Sequence, residues 1–206
     1  MFRVKICGIT DPDDLRMVEE AGADAAGFVF FRRSKRYVDF EHCREIIRKA
    51  SPKLLTVGVF VNTPADIINR VASIAGISAV QLSGFETDET VKAVELPTIK
   101  VFRPETPDDV KKAEQCPADA IMFDAAFPGS FGGTGKQLDY TLILEAGIKR
   151  EFLIAGGLNP ENVRDVVTLL KPAGVDVSTG VELFPGKKDP RKVRDFVRAA
   201  SEALGA

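Results

Sequence analysis

The sequence is short of the residues that many catalytic and scaffold classes require. It has one histidine, His42, in 206 residues. His42 sits beside Cys43 on a predicted helix, where adjacent side chains diverge. A Ser-His-Asp or Cys-His hydrolase is therefore unsupported. There are three cysteines, at positions 7, 43 and 116, an odd number at wide spacing with no CxxC. That argues against a disulfide framework or a zinc site and for a reducing cytoplasm. No apolar run approaches the roughly 20 residues that span a bilayer, and the first residues carry a strand pattern rather than a signal peptide. No GxGxxG follows the first apolar run, where a dinucleotide fold would want it. A net charge of -2 gives no overall basic bias toward nucleic acid or an anionic membrane. What remains, 45% hydrophobic and 28% charged, is ordinary for a globular chain, and the length suits one domain over residues 1–206 with a substantial core.

Eight short apolar runs stand out, at about Arg3–Cys7, Ala25–Phe30, Leu55–Val61, Ala79–Leu82, Thr98–Phe102, Ala120–Asp124, Phe152–Ala155 and Val175–Ser178. Most are rich in Val, Ile and Phe, as buried parallel strands are. Segments of helical period separate them, at Pro12–Ala21, Phe40–Ala50, Ala65–Ala75, Thr87–Val94, Asp108–Cys116, Tyr140–Ala146, Pro160–Leu170 and Pro190–Leu204. Asn159-Pro160 and Asp189-Pro190 read as N-cap followed by first-turn proline. Gly22, Gly76 and Gly147 stand where helices should stop. Strand then helix, eight times, predicts a single-domain (β/α)8 TIM barrel with few insertions. A doubly wound open sheet is the alternative, disfavoured because glycine-rich loops follow the last two strands, the usual phosphate position in a barrel.

Those loops are Ala155-Gly156-Gly157-Leu158-Asn159-Pro160 and Ser178-Thr179-Gly180-Val181-Glu182. Glycines let backbone N–H groups approach an anion, so a phosphorylated small molecule is the expected ligand. Tight turns that bind nothing are the competing reading. A third glycine-rich segment, Gly129–Lys136, suits a flap over the site or a plain surface loop.

Cys7 ends the first strand and is followed by Gly8. It shares a face with Lys5, because strand side chains alternate, which places Lys5 one layer deeper. A buried ammonium needs a carboxylate, and Asp176 on the eighth strand, neighbour of the first in a closed barrel, is the candidate. As a thiolate, Cys7 can abstract a proton. Asp124 ends a strongly apolar strand, where burial favours the protonated form that a general acid needs. In the run Arg32-Arg33-Ser34-Lys35-Arg36, one arginine is placed to clamp a carboxylate. Phe31 and Phe85 are candidate apolar contacts for a homodimer.

Taken together, Lys5-Ile6-Cys7-Gly8-Ile9-Thr10, Gly27–Phe30, Ser34–Tyr37, Val57–Asn62, Ala79–Leu82, Gly132–Lys136, Gly156–Val163 and Val175–Glu182 resemble phosphoribosylanthranilate isomerase of tryptophan biosynthesis. The resemblance covers essentially the whole chain in order. It implies a cofactor-free barrel and the Amadori rearrangement of N-(5-phosphoribosyl)anthranilate to the 1-deoxyribulose 5-phosphate. It further implies Cys7 as general base, Asp124 as general acid and Arg36 as holder of the anthranilate carboxylate. Substrate contacts are expected from Arg36, Asp176, Gly133, Gly156, Gly157, Asn159, Ser178, Thr179 and Gly180. One departure is visible: the family commonly reads Gln-Leu-His-Gly where this chain has Gln81-Leu82-Ser83-Gly84. Another phosphosugar barrel, an epimerase or synthase, and a non-catalytic phosphosugar-binding module are the rival readings.

Overall fold

The computed structural model describes residues 2–124 and 139–205. Eight parallel strands close into one barrel: β1 (Val4–Cys7), β2 (Ala25–Val29), β3 (Leu55–Phe60), β4 (Ala79–Leu82), β5 (Thr98–Phe102), β6 (Ala120–Phe123), β7 (Phe152–Ile154) and β8 (Gly174–Val177). Each strand neighbours the next, and β8 closes on β1 with Lys5 opposite Asp176. The helices are α1 (Pro12–Glu20), α2 (Phe40–Ile47), α3 (Ala65–Ala75), α4 (Asp88–Ala93), α5 (Pro107–Ala113), α6 (Thr141–Ala146), α7 (Val163–Leu170) and α8 (Pro190–Ala203). The expected barrel is the observed fold, and the open sheet is excluded by the closing pair.

Local chemistry explains most boundaries. Asp11 caps α1 by accepting from the Asp14 N–H, and Thr106 and Asp109 form a reciprocal capping box on α5. Asp189 caps α8 before Pro190, as its sequence suggests. Gly76 and Gly147 end α3 and α6 in the left-handed region.

Two layers of core result from the strand period. Outward-facing residues such as Ile6, Phe28, Phe60 and Ile121 pack against helix residues such as Leu15, Ile46, Ile68 and Phe196. Inward-facing residues, among them Ala25, Val57, Ile99, Met122 and Leu153, fill the barrel. The small residues Ala25, Ala79 and Ala120 alternate with larger ones, as a closed eight-strand interior requires.

Two local features depart from expectation. Helix α7 begins at Val163, not at Pro160. The Asn159 side-chain oxygen accepts from the Glu161 and Asn162 N–H groups, while the Asn162 side-chain oxygen accepts from the Asn159 N–H. This reciprocal pair of asparagines holds a turn of its own ahead of the helix. The chain after β8 also forms a small antiparallel hairpin, β9 (Glu182–Phe184) with β10 (Lys187–Lys188), closed through Gly186 at φ +90°.

Candidate active site

The carboxyl ends of the strands open onto one cleft of about 220 Å³. Its lining includes Cys7, Arg36, Asp124, Gly156, Gly157, Asn159, Asp176, Ser178, Thr179 and Gly180. Residues scattered over 174 positions of sequence therefore share one space. Gly133 and the proposed flap at Gly129–Lys136 lie outside the described residues.

The floor of the cleft is the Lys5 cluster. Lys5 is fully buried, and its Nζ donates to Asp176 Oδ1 at 2.8 Å. Its second partner is the Cys7 thiol. Burial pulls the lysine down, but Asp176 and Cys7 outweigh it and leave Lys5 above its ordinary value. Burial pushes the Cys7 thiol up, against the pull of the Lys5 ammonium. The resting form is thus the protonated thiol, with a cation in place to stabilise the thiolate. Gly27 makes the room for this: a Cβ there would lie 2.7 Å from Cys7 Sγ.

The anion cradle is built from the two glycine-rich loops. Gly156 and Gly157 adopt φ of +86° and +70°, which side-chain-bearing residues rarely take. Gly180 touches the other loop directly, since a Cβ on it would stand 1.9 Å from the Leu158 carbonyl oxygen. Only glycine permits that approach, so the loops after β7 and β8 form one surface. Ser178 Oγ in this region is buried and, among the described residues, has no hydrogen-bond partner.

On the far side, Asp124 meets a cation rather than a wholly apolar wall. Arg103 Nη2 lies 3.6 Å from Asp124 Oδ2, while Arg103 Nη1 donates to the Ser83 carbonyl at 2.9 Å. The Asp124 side chain, expected to be buried, is 15% exposed and faces this arginine. Arg103 follows Phe102 at the end of β5, and its place at a strand end was the available signal. Ser83 itself is buried and accepts from Gln81 Nε2 at 3.1 Å; Gln81 Oε1, also buried, has no partner among the described residues. The hold on Arg103 uses a backbone carbonyl, which any residue at position 83 supplies.

Of the four basic side chains in that run Arg36 lines the cleft, next to Ser34; Arg32, Arg33 and Lys35 are exposed. Its guanidinium already holds a protein carboxylate. Nε and Nη2 donate to the two oxygens of Glu182 at 2.7 and 2.5 Å, and Nη2 reaches Thr179 Oγ1 at 3.2 Å. Glu182 is shared with Lys188, whose Nζ lies 2.9 Å from it. Neither Glu182 nor Lys188 is marked by sequence period, because they sit in a non-repeating hairpin. Phe31 also lines the cleft, whereas Phe85 is 83% exposed. His42 is on the surface, its ring Nε2 3.0 Å from the Thr10 carbonyl.

Comparison with known proteins agrees with this geometry. The family model for N-(5'-phosphoribosyl)anthranilate (PRA) isomerase matches residues 4–199. The N-(5'-phosphoribosyl)anthranilate isomerase of Geobacter sp. (strain M21) is 43% identical over 202 residues, covering 98% of this chain and 99% of the relative. A structure of monomers of the dimeric enzyme from Thermotoga maritima superimposes with a TM-score of 0.87 at 38% identity, covering 98% of this chain and 100% of that one. A phosphoribosyl anthranilate isomerase solved with reduced 1-(o-carboxyphenylamino)-1-deoxyribulose 5-phosphate gives 0.87 at 39% identity over the same shares. A barrel whose strand ends gather a thiol, a carboxyl, an arginine and a two-loop cradle, and whose sequence matches along nearly its whole length, belongs to the N-(5'-phosphoribosyl)anthranilate isomerase family.

Proposed function

We infer that this chain isomerises N-(5-phosphoribosyl)anthranilate to 1-(2-carboxyphenylamino)-1-deoxyribulose 5-phosphate, a step of tryptophan biosynthesis. The observation that carries the reading is the sharing of one cleft by Cys7, Asp124, Arg36 and the paired glycine loops. In this reading the phosphate rests on the Gly156-Gly157 and Ser178-Thr179-Gly180 backbone, with Asn159 shaping the first loop. Asp124 gives a proton to the furanose ring oxygen, and the ring opens to an iminium at C1. The iminium acidifies the C2 proton, which the Cys7 thiolate takes. The resulting enolamine gains a proton at C1 and loses one from the C2 hydroxyl, giving the ketone. Substrate nitrogen serves as the electron sink, so the side chains need only move protons. General acid and base each contribute roughly 10²–10⁴-fold in rate.

Lys5 stabilises the thiolate and Asp176 holds Lys5 charged, which makes Asp176 a neighbour of the reacting centre as well as a substrate contact. The remaining donors of Arg36 face the anthranilate carboxylate. A reducing cytoplasm suits a biosynthetic isomerase with three free cysteines. A homodimer is part of the same reading, since the Thermotoga maritima relative is a dimer. The decisive experiment follows the fluorescence of phosphoribosylanthranilate with purified protein. Its disappearance, coupled to formation of the ketose, is expected; unchanged fluorescence at micromolar enzyme would overturn the reading.

A further inference from the structure

A buried lysine and a buried carboxylate meet the half-buried Arg36 beside the cleft, and their bonds lead into the site. Lys188 is fully buried, and its ammonium spends all three donors: on the Cys7 carbonyl at 2.6 Å, on Glu182 Oε1 at 2.9 Å and on the Ser178 carbonyl at 3.3 Å. Those two carbonyls belong to the residue ending β1 and to the first residue after β8. One side chain thus ties the strand that carries the thiol to the loop that forms half of the anion cradle. Glu182 accepts from Lys188, from the Gly186 N–H at 3.2 Å and from both Nε and Nη2 of Arg36. The Nε/Nη2 edge of Arg36 is therefore occupied, and among the described residues Nη1 has no protein acceptor. Gly8 closes the remaining side, because a Cβ there would stand 2.6 Å from Arg36 Cδ. A guanidinium held in this way has one orientation.

We propose that Glu182 and Lys188 are positioning residues for the isomerisation: Glu182 fixes the Arg36 guanidinium so that its Nη1 side meets the substrate carboxylate, and Lys188 holds the Cys7 and Ser178 strand ends in register. The inference rests on the isomerase reading of the same cleft. It also accounts for the charge. Two cations share one carboxylate, so the cluster carries a net positive charge, which an anionic substrate completes.

The test is a double-mutant cycle on the full chain, with KM and kcat for phosphoribosylanthranilate, inhibition by inorganic phosphate and the thermal midpoint measured on each variant. Glu182→Gln keeps the volume but weakens the charge-assisted bonds, and is expected to raise KM about tenfold or more with a smaller effect on phosphate inhibition than Lys188→Met has, since Lys188 keeps its two carbonyl acceptors. In an Arg36→Ala background the same change is expected to leave KM within twofold, because the residue it acts through is gone. Lys188→Met is expected to lower kcat and weaken phosphate inhibition together. Glu182→Asp, which retains the charge on a shorter arm, is expected to fall between wild type and Glu182→Gln, and decides the matter if the glutamine variant does not fold. Folded Glu182 variants with wild-type KM, or an equal KM effect with and without Arg36, would overturn the proposal. An inactive wild-type chain would instead overturn the isomerase reading beneath it.

Discussion

Lys5 and Lys188 are both fully buried, both grip a carboxylate, and both lie against Cys7, yet their acidities move in opposite directions. Burial penalises each ammonium. Lys5 has Asp176 largely to itself and the Cys7 thiol beside it, and these outweigh burial. Lys188 is left below its ordinary value by burial, since Glu182 is divided between it and Arg36, whose own charge repels it. A buried cation keeps its proton firmly when it owns its counter-ion and less firmly when it shares one. The first arrangement suits a fixed charge that stabilises a thiolate; the second leaves positive charge over for a ligand. Glu182 itself is held below the usual carboxylate range by its two cations despite burial.

Breaking the Lys5 side of this comparison should have the largest effect. Cys7→Ala, and equally Asp124→Asn, is expected to lower kcat by roughly 10²–10⁴-fold with the fold intact, measured by steady-state kinetics alongside circular dichroism. Lys5→Met strands a buried carboxylate and is expected to cost about 3–5 kcal/mol in denaturant unfolding. It sharpens the comparison by pH as well. Burial holds the Cys7 thiol up and Lys5 pulls it down, so kcat/KM of the wild type should rise with pH through a limb above the ordinary thiol range. Removing Lys5 should move that limb further up. Breaking the Arg36 link of the Lys188 side acts chiefly on binding: Arg36→Ala is expected to raise KM for the anthranilate-bearing substrate with a smaller change in kcat, and an unchanged KM would place the carboxylate anchor elsewhere. The smallest effect is expected from His42→Ala, with kcat and KM within twofold, since the half-exposed ring meets the Thr10 carbonyl and Glu45, neither of which lines the cleft.

The two clusters also differ in how far they could be read before folding. Lys5 and Asp176 are 171 positions apart, but strand alternation points Lys5 inward and barrel closure puts β8 beside β1. Two periodic rules suffice to pair them. No rule of that kind reaches Lys188. It lies in a two-residue strand of a hairpin whose presence the apolar pattern does not announce, and Lys187-Lys188 reads as a solvated charged pair. Arg103 is hidden for a related reason: its hold on Asp124 and on the Ser83 carbonyl depends on how three strand ends crowd at the barrel mouth. Ser83 marks the converse case. Its backbone carbonyl accepts from Arg103, and that bond is indifferent to side-chain identity.

Hydrophobic period, glycine placement and capping residues by themselves determined eight strands alternating with eight helices and the face on which a site would form, because each of these follows from interactions between near neighbours in the chain; the pairing of β8 with β1 closed the barrel. The same information singled out Cys7, Asp124 and the two glycine loops by their positions at strand ends. Only the tertiary structure decided which carboxylate Arg36 holds, that Lys188 spans the Cys7 and Ser178 carbonyls, and that Arg103 stands against Asp124. Those pairings bring charged side chains together with partners from separate loops and strand ends, where burial forces a charge to find whichever partner the packed backbone brings within reach.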